Sequence, residues 1–191
     1  MDIALILVAV IAVVIVIVIV GFSIYNGIIG GHNRVQRAWS DVLVYERQKT
    51  KVLDQLQKVL GDFMVYEASL LEKITGLRSA INALPAGANG NALATVETAS
   101  RELMGGLRIA FEAYPDLKAS EAANNMMREI AEQQENVGAA ITIYNRNVEL
   151  FNNSIEMFPG SVVNGLFNKK TRVTPFSDTE ASQGFSYTPN I

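Results

Sequence analysis

The chain has 191 residues, a net charge of −3 and no cysteine. This length suits one domain plus an anchor, and the missing cysteines exclude disulfides and thiol chemistry. The sequence pI of about 5.2 argues against a nucleic-acid partner, because such proteins carry a basic surplus.

The N-terminal segment is predicted to be a transmembrane helix. Residues 3–24 carry no charge, and residues 3–20 are only Ile, Leu, Val and Ala. At 1.5 Å per residue this run spans about 33 Å, enough for a hydrocarbon core of about 30 Å. A cleaved signal peptide would need a basic start, and a buried core helix would need a polar face; both are absent. The anchor is residues 1–25, with lipid-facing positions that include Ile3, Leu7, Val14, Val20 and Ile24.

Basic residues around the anchor predict its orientation. Only the α-amino group and Asp2 precede it, whereas five Lys and Arg residues follow within about 30 positions. The positive-inside rule therefore predicts a single-pass protein of the cell membrane, with its N-terminus outside and its helical domain in the cytoplasm.

Residues 26–34 are glycine-rich and predict a membrane-proximal hinge. Gly27, Gly30 and Gly31 each lower helix propensity by about 1 kcal/mol relative to Ala. The alternative is a continuous helix that tolerates them.

The rest of the chain predicts an all-α, elongated, antiparallel three-helix bundle over residues 35–167. Apolar residues at alternating three- and four-residue spacing predict a first helix over residues 33–84, which turn-forming residues 84–90 end. A second helix is predicted over residues 92–114, before Pro115, and a third over residues 120–158, with Ser120 as its N-cap. Residues 168–191 predict an extended polar tail. A set of seven asparagines is interpreted as cross-links between helices: Asn124, Asn125, Asn145, Asn147, Asn152, Asn153 and Asn164.

The first predicted helix is too long for its two partners. Its seam is heptad-like, as in a coiled coil, and its membrane-proximal part is left uncovered, so a second copy of the chain is the expected cover. Glu46 and Lys49 could pair on one helix or set register between chains. The side chains predicted to make these homo-oligomer contacts are Val35, Trp39, Val42, Leu43, Glu46 and Lys49. For Trp39 itself, internal packing is favoured over contact with the membrane interface.

Four segments, in order, resemble the LemA family. They are residues 33–42 (NRVQRAWSDV), 114–119 (YPDLKA), 144–148 (YNRNV) and 151–159 (FNNSIEMFP). The resemblance spans about residues 25–167 and implies a helical bundle behind a membrane anchor in a bacterial protein. It implies no reaction, because the family has no established catalytic site.

No constellation of residues predicts catalysis. His32 is the only histidine, and Glu129, Glu132 and Glu135 lack the histidine partners of di-iron bundles. The sequence therefore predicts a protein that is not an enzyme and binds no cofactor or metal.

Two functions remain after enzymes are set aside. The first is a membrane-anchored scaffold that self-assembles on the lipid bilayer and organises or remodels it. The alternative is an adaptor, or accessory subunit, that serves a membrane-protein partner such as a peptidase or a sensor kinase.

Overall fold

The computed structural model describes residues 3–62 and 68–177, and the regular structure within these ranges is helical. The predicted all-α class is confirmed there. The six α-helices of the described residues are α1 (Ile3–Asp62), α2 (Ala68–Asn82), α3 (Leu93–Ala113), α4 (Pro115–Ala119), α5 (Glu121–Glu156) and α6 (Gly160–Val163). A 3-10 turn, Gly90–Ala92, precedes α3, and a π-helical turn, Asn164–Asn168, follows α6.

The predicted hinge is absent, because α1 runs unbroken through all three glycines. Its 60 residues make a rod about 90 Å long. A Cβ added at Gly31 would lie 3.4 Å from the ring of Phe151 on α5, at ordinary van der Waals distance. Gly31 therefore lies within the helix against α5, and the continuous helix is the correct one of the two alternatives.

The first predicted helix is two antiparallel helices. Arg78 Nη2 on α2 donates to Gln57 Oε1 on α1 at 3.0 Å, and it also pairs with Asp54. On one straight helix, 21 residues would separate Arg78 from Gln57 by about 31 Å. The single helix over residues 33–84 was therefore a wrong prediction; residues 63–67 lie outside the described residues.

Four long helices consequently form the bundle, alternating in direction. Trp39 Nε1 on α1 donates to Pro85 O, just beyond α2, at 2.9 Å, which brings the end of α2 back toward the anchor. Gln134 on α5 contacts Lys49 on α1 at 2.8 Å and Glu97 on α3 at 3.2 Å. The predicted three-helix bundle is corrected to an up-down-up-down arrangement of α1, α2, α3 and α5.

The core is the apolar seam that the periodicity predicted. On each long helix, apolar side chains at three- and four-residue spacing are buried, and burial of each contributes about 1.5–3 kcal/mol. On α1 and α2 these are Leu53, Leu56, Leu60, Leu70, Ile74, Leu77 and Ile81.

Local signals placed the later helix boundaries well. Pro115 occupies the first turn of α4, and Ser120 Oγ caps α5 by accepting from the Ala123 N–H at 3.3 Å. Beyond the π-helical turn, residues 169–177 have no regular structure. The remainder of the predicted tail, residues 178–191, lies outside the described residues.

Candidate functional site

The one histidine packs against an aromatic ring. His32 meets Phe151 edge-on, with ring centroids 5.5 Å apart. Partial burial, and then the positive charge of Lys170, lower the pKa of His32 below its ordinary value. Among the described residues, no group of three or more His, Asp or Glu side chains is placed to hold a metal ion.

A buried charge cluster lies in the middle of the bundle. The Lys49 ammonium is 3.0 Å from Glu46 Oε2, and both side chains are almost fully buried. Lys49 also donates to Ser100 Oγ at 3.3 Å and to Gln134 Oε1 at 2.8 Å. Gln134 in turn donates to Glu97 Oε2 at 3.2 Å. The ammonium thus forms an ion pair with Glu46 on α1 and donates hydrogen bonds to α3 and α5, so the cluster ties these three helices together.

This cluster has the electrostatics of a structural ion pair. Burial raises the pKa of Glu46 above its ordinary value, against the opposing attraction of the Lys49 ammonium. A cavity of about 310 Å³ adjoins Lys49, and its lining includes Leu77, Leu103 and Ile130.

The structure buries all six side chains that were predicted to make chain–chain contacts. Val35, Trp39, Val42, Leu43, Glu46 and Lys49 are each at most 7% exposed. The seam is covered because α5 packs along α1 and the segment after α2 reaches Gln36 and Trp39 through hydrogen bonds, which the single-helix interpretation did not anticipate. The uncovered seam was therefore a wrong premise, and Glu46 and Lys49 pair on one helix.

Trp39 is a packing residue of the core. Its indole N–H donates to Pro85 O, and its ring lies 5.3 Å from that of Tyr144 on α5. Burial raises the pKa of Tyr144 to about 12. The internal-packing interpretation of Trp39 is confirmed.

Asparagines on α5 hold the segment after the π-helical turn by its backbone. Asn152 donates to Val173 O at 2.9 Å and accepts from its N–H at 3.0 Å. Asn145 makes the same pair of bonds with Phe176, at 2.9 and 2.8 Å. We call residues 169–177 the strap.

The strap also closes the junction after α2. Gly90 N donates to Thr174 O at 3.0 Å, and a Cβ at Gly90 would lie 2.2 Å from the Pro175 backbone, so only glycine fits. Two of the asparagines interpreted as cross-links between helices therefore bind the strap. Asn145 and Asn152 are seven residues apart, and this same-face spacing is the signal that could have found them.

The first residues of α1 are exposed and apolar. Ile3, Leu7, Val14 and Val20 are between 47% and 83% exposed, whereas Ile24 is partly covered. Within the described residues, α1 is the one helix long and apolar enough to cross a membrane, and its most apolar 18-residue window has no buried residue.

The π-helical turn after α6 lies at the base of this segment. Asn168 Nδ2, at the end of the π-helical turn, donates to Tyr25 O at 3.3 Å. A groove there is lined by residues of both parts, including Ile24, Gly27, Met157 and Pro159. α6 and the π-helical turn therefore lie beside α1 just past its predicted span.

Comparisons with known proteins identify the family. The sequence profile of the LemA family matches residues 38–186. The chain is 30% identical, over 135 residues, to Protein LemA of Metamycoplasma hominis. That alignment includes 70% of this chain and 60% of the relative, so the chain spans less than two thirds of the relative's length. The profile match extends over most of the sequence, and this protein therefore belongs to the LemA family.

Proposed function

We propose that this protein is a membrane-anchored structural protein whose copies assemble side by side on the bilayer, and that it has no catalytic activity. The observation that carries the proposal is the continuity of α1. Its exposed apolar start leads without a break into side chains buried at the centre of the bundle, Val35 and Trp39. A movement of the anchor would therefore be transmitted directly to the bundle.

An exposed apolar stripe on α5 supports lateral assembly. Ile143 and Leu150 are seven residues apart on α5, so they share one helix face, and Met157 follows seven residues later at the C-cap; each of the three is more than half exposed. The stripe runs toward the anchor, where neighbouring chains in one membrane would meet side by side. Apolar side chains at this spacing form the contact seam between helices of a coiled coil.

Removing the stripe should dissociate the assembly. We expect the wild type in mild detergent to have the mass of several chains, and the Ile143→Ser, Leu150→Ser double variant to have the mass of one. Light scattering with the detergent contribution subtracted measures this. The matched control is Ile109→Ser, which removes an equally exposed apolar side chain from α3 and should leave the mass unchanged.

A wild type of single-chain mass at micromolar concentration would contradict lateral assembly. An unchanged mass in the double variant would exclude the stripe as the contact. Circular dichroism should show the same helix content in all three proteins, because the substituted side chains are exposed.

The proposed orientation places the bundle in the cytoplasm. Arg34 and Arg37 follow the anchor on α1, and the return of the chain to Tyr25 brings Lys169, Lys170 and Arg172 to the same end. These five positive charges near the membrane favour a cytoplasmic bundle. A tag at the C-terminus should therefore resist protease added outside intact cells. Its digestion in intact cells would reverse the assigned orientation.

The strap gives the adaptor alternative its own support. α5 already holds an extended segment through backbone hydrogen bonds from Asn145 and Asn152. Main-chain capture of this kind is a common way to recognise extended peptides. A wild type that is monomeric in detergent, and that binds a membrane protein, would favour this function over the scaffold.

A further inference from the structure

An exposed apolar surface lies at the anchor end of the bundle and has no partner within the described chain. It consists of Phe158, Val162, Leu166 and Phe167, which we call the apolar foot. These side chains are 83%, 51%, 65% and 66% exposed. Four large apolar side chains exposed within ten residues usually mark an interaction surface.

The position of the apolar foot along α1 identifies the partner. The foot is held beside α1 by the bond from Asn168 to Tyr25 O and by the groove that Pro159 shares with Ile24. Residues 3–24 are the segment proposed to cross the bilayer, so the foot lies at the level where that segment leaves the lipid. Phe158 of the foot lines the same groove as Ile24 of the anchor.

The apolar foot is also structurally fixed. Asn164 donates to Lys170 O and accepts from the Lys170 N–H, both at 2.9 Å, and Lys169 N donates to Asn164 O at 2.7 Å. These hydrogen bonds hold the backbone of Lys169 and Lys170 against Asn164, at the start of the π-helical turn. The exposed side chains are therefore displayed by a folded segment.

The charge around the apolar foot fits a lipid surface. Residues 157–177 contain no Asp or Glu, and three basic residues follow the foot directly: Lys169, Lys170 and Arg172. Arg172 also lies 3.3 Å from Glu156, in a pair whose side chains are largely exposed. Basic residues next to apolar ones are typical of segments that lie in the interface of anionic membranes.

We infer that the apolar foot inserts into the bilayer at the boundary between headgroups and acyl chains, as a second membrane contact beside α1. This inference rests on the proposed anchor. One transmembrane helix leaves a bundle free to rotate and tilt over the membrane. A second contact on one side of α1 fixes the rotation of the bundle about the membrane normal. It therefore also fixes the direction in which the α5 stripe faces a neighbouring chain.

Depth-dependent fluorescence quenching tests the inference on the full chain. Because the protein has no cysteine, one reporter can be placed at a time, as Phe158→Cys or Phe167→Cys. Each protein is labelled with an environment-sensitive fluorophore and reconstituted into vesicles of phosphatidylcholine and phosphatidylglycerol. The quenchers are lipids that carry a spin label either near the headgroup or near the end of the acyl chain.

We expect both foot reporters to lose most of their fluorescence with the shallow quencher and much less with the deep one. Val14→Cys, in the anchor, should respond most to the deep quencher. Ile109→Cys, exposed to the same degree as the foot but remote on α3, should respond to neither.

The outcomes separate the inference from the proposed function. Foot reporters that behave like Ile109→Cys, while Val14→Cys is quenched, would overturn the membrane contact and leave the anchor standing. A Val14→Cys reporter that no lipid quenches would overturn the anchor itself, and the inference with it. Both substituted side chains are exposed. If the two foot reporters show the same quenching pattern, the pattern does not arise from a distortion at one substituted position.

Discussion

Lys49→Met should destabilise the bundle by about 3–5 kcal/mol, because it leaves the Glu46 carboxylate buried without its partner. Glu46→Leu should have a similar effect, since it leaves the ammonium unpaired. At about 2–4 °C per kcal/mol for a chain of this size, Tm should fall by about 6–20 °C. Thermal unfolding followed by circular dichroism in mild detergent measures the shift.

The double variant separates the buried pair from the rest of the packing. With Glu46→Leu and Lys49→Met together no charge is stranded, and replacing buried ion pairs with apolar residues of similar volume is often neutral or stabilising. We expect the double variant to unfold closer to the wild type than either single variant does. Losses that simply add would contradict the pairing. Lys51→Met is the matched control, because this exposed lysine lies two residues along the same helix, and its change should stay within about 0.5 kcal/mol.

The same carboxylate predicts a pH dependence. Because burial raises the pKa of Glu46, the folded state binds its proton more tightly than the unfolded state does. The stability contributed by this group is fully present below its ordinary pKa of 4.5 and is lost as pH rises through the raised value. As pH rises from 4.5 through the raised pKa of Glu46, the stability of the wild type should fall relative to that of the double variant.

Much of the fold follows from local sequence signals. The start of α1 could be predicted because residues 3–24 are an uncharged apolar run. The boundaries near α4 and α5 could be predicted because Pro115 and Ser120 influence only the backbone next to them. The buried seam of α2 could also be predicted, because its three- and four-residue spacing depends only on helix geometry.

The direction of α2 could not be predicted from such signals. Residues 33–84 contain no proline and only two glycines, so helix propensity gives no reason to separate α1 from α2. The pairing of Arg78 with Gln57 is a tertiary contact, which periodicity does not encode. Because α1 and α2 were interpreted as one helix, part of the apolar seam was predicted to be uncovered. Glu46 and Lys49 were therefore assigned to a chain–chain contact.

The strap was missed for a related reason. Asparagine is common in turns and at helix ends, and nothing local distinguishes one that binds a distant backbone segment. The high number of asparagines in this region does not single out Asn145 and Asn152, whereas their seven-residue spacing places both on one face of α5. The position of the apolar foot could not be predicted either. Its residues lie beside Tyr25 because α5 runs antiparallel to α1, and this is a tertiary arrangement that the local sequence does not encode.

A second large effect is expected from charging the anchor. Arginine near the centre of a membrane-spanning helix costs about 2.5–3.5 kcal/mol, so Ile11→Arg with Val14→Arg should weaken insertion by about 5–7 kcal/mol. Both side chains are exposed, and the folded bundle does not depend on them. We expect this variant to shift from the membrane to the soluble fraction with its helical bundle intact, while Ile11→Leu with Val14→Leu should remain in the membrane.

The central claim is that α1 crosses the bilayer and carries the bundle, and carbonate extraction of the full-length wild type tests it most directly. Alkaline carbonate removes proteins held on a membrane surface and leaves integral ones in the membrane pellet. An anchor that spans the bilayer predicts that the protein stays in the pellet and is released only by detergent. Recovery of the full-length protein in the carbonate supernatant would contradict the claim.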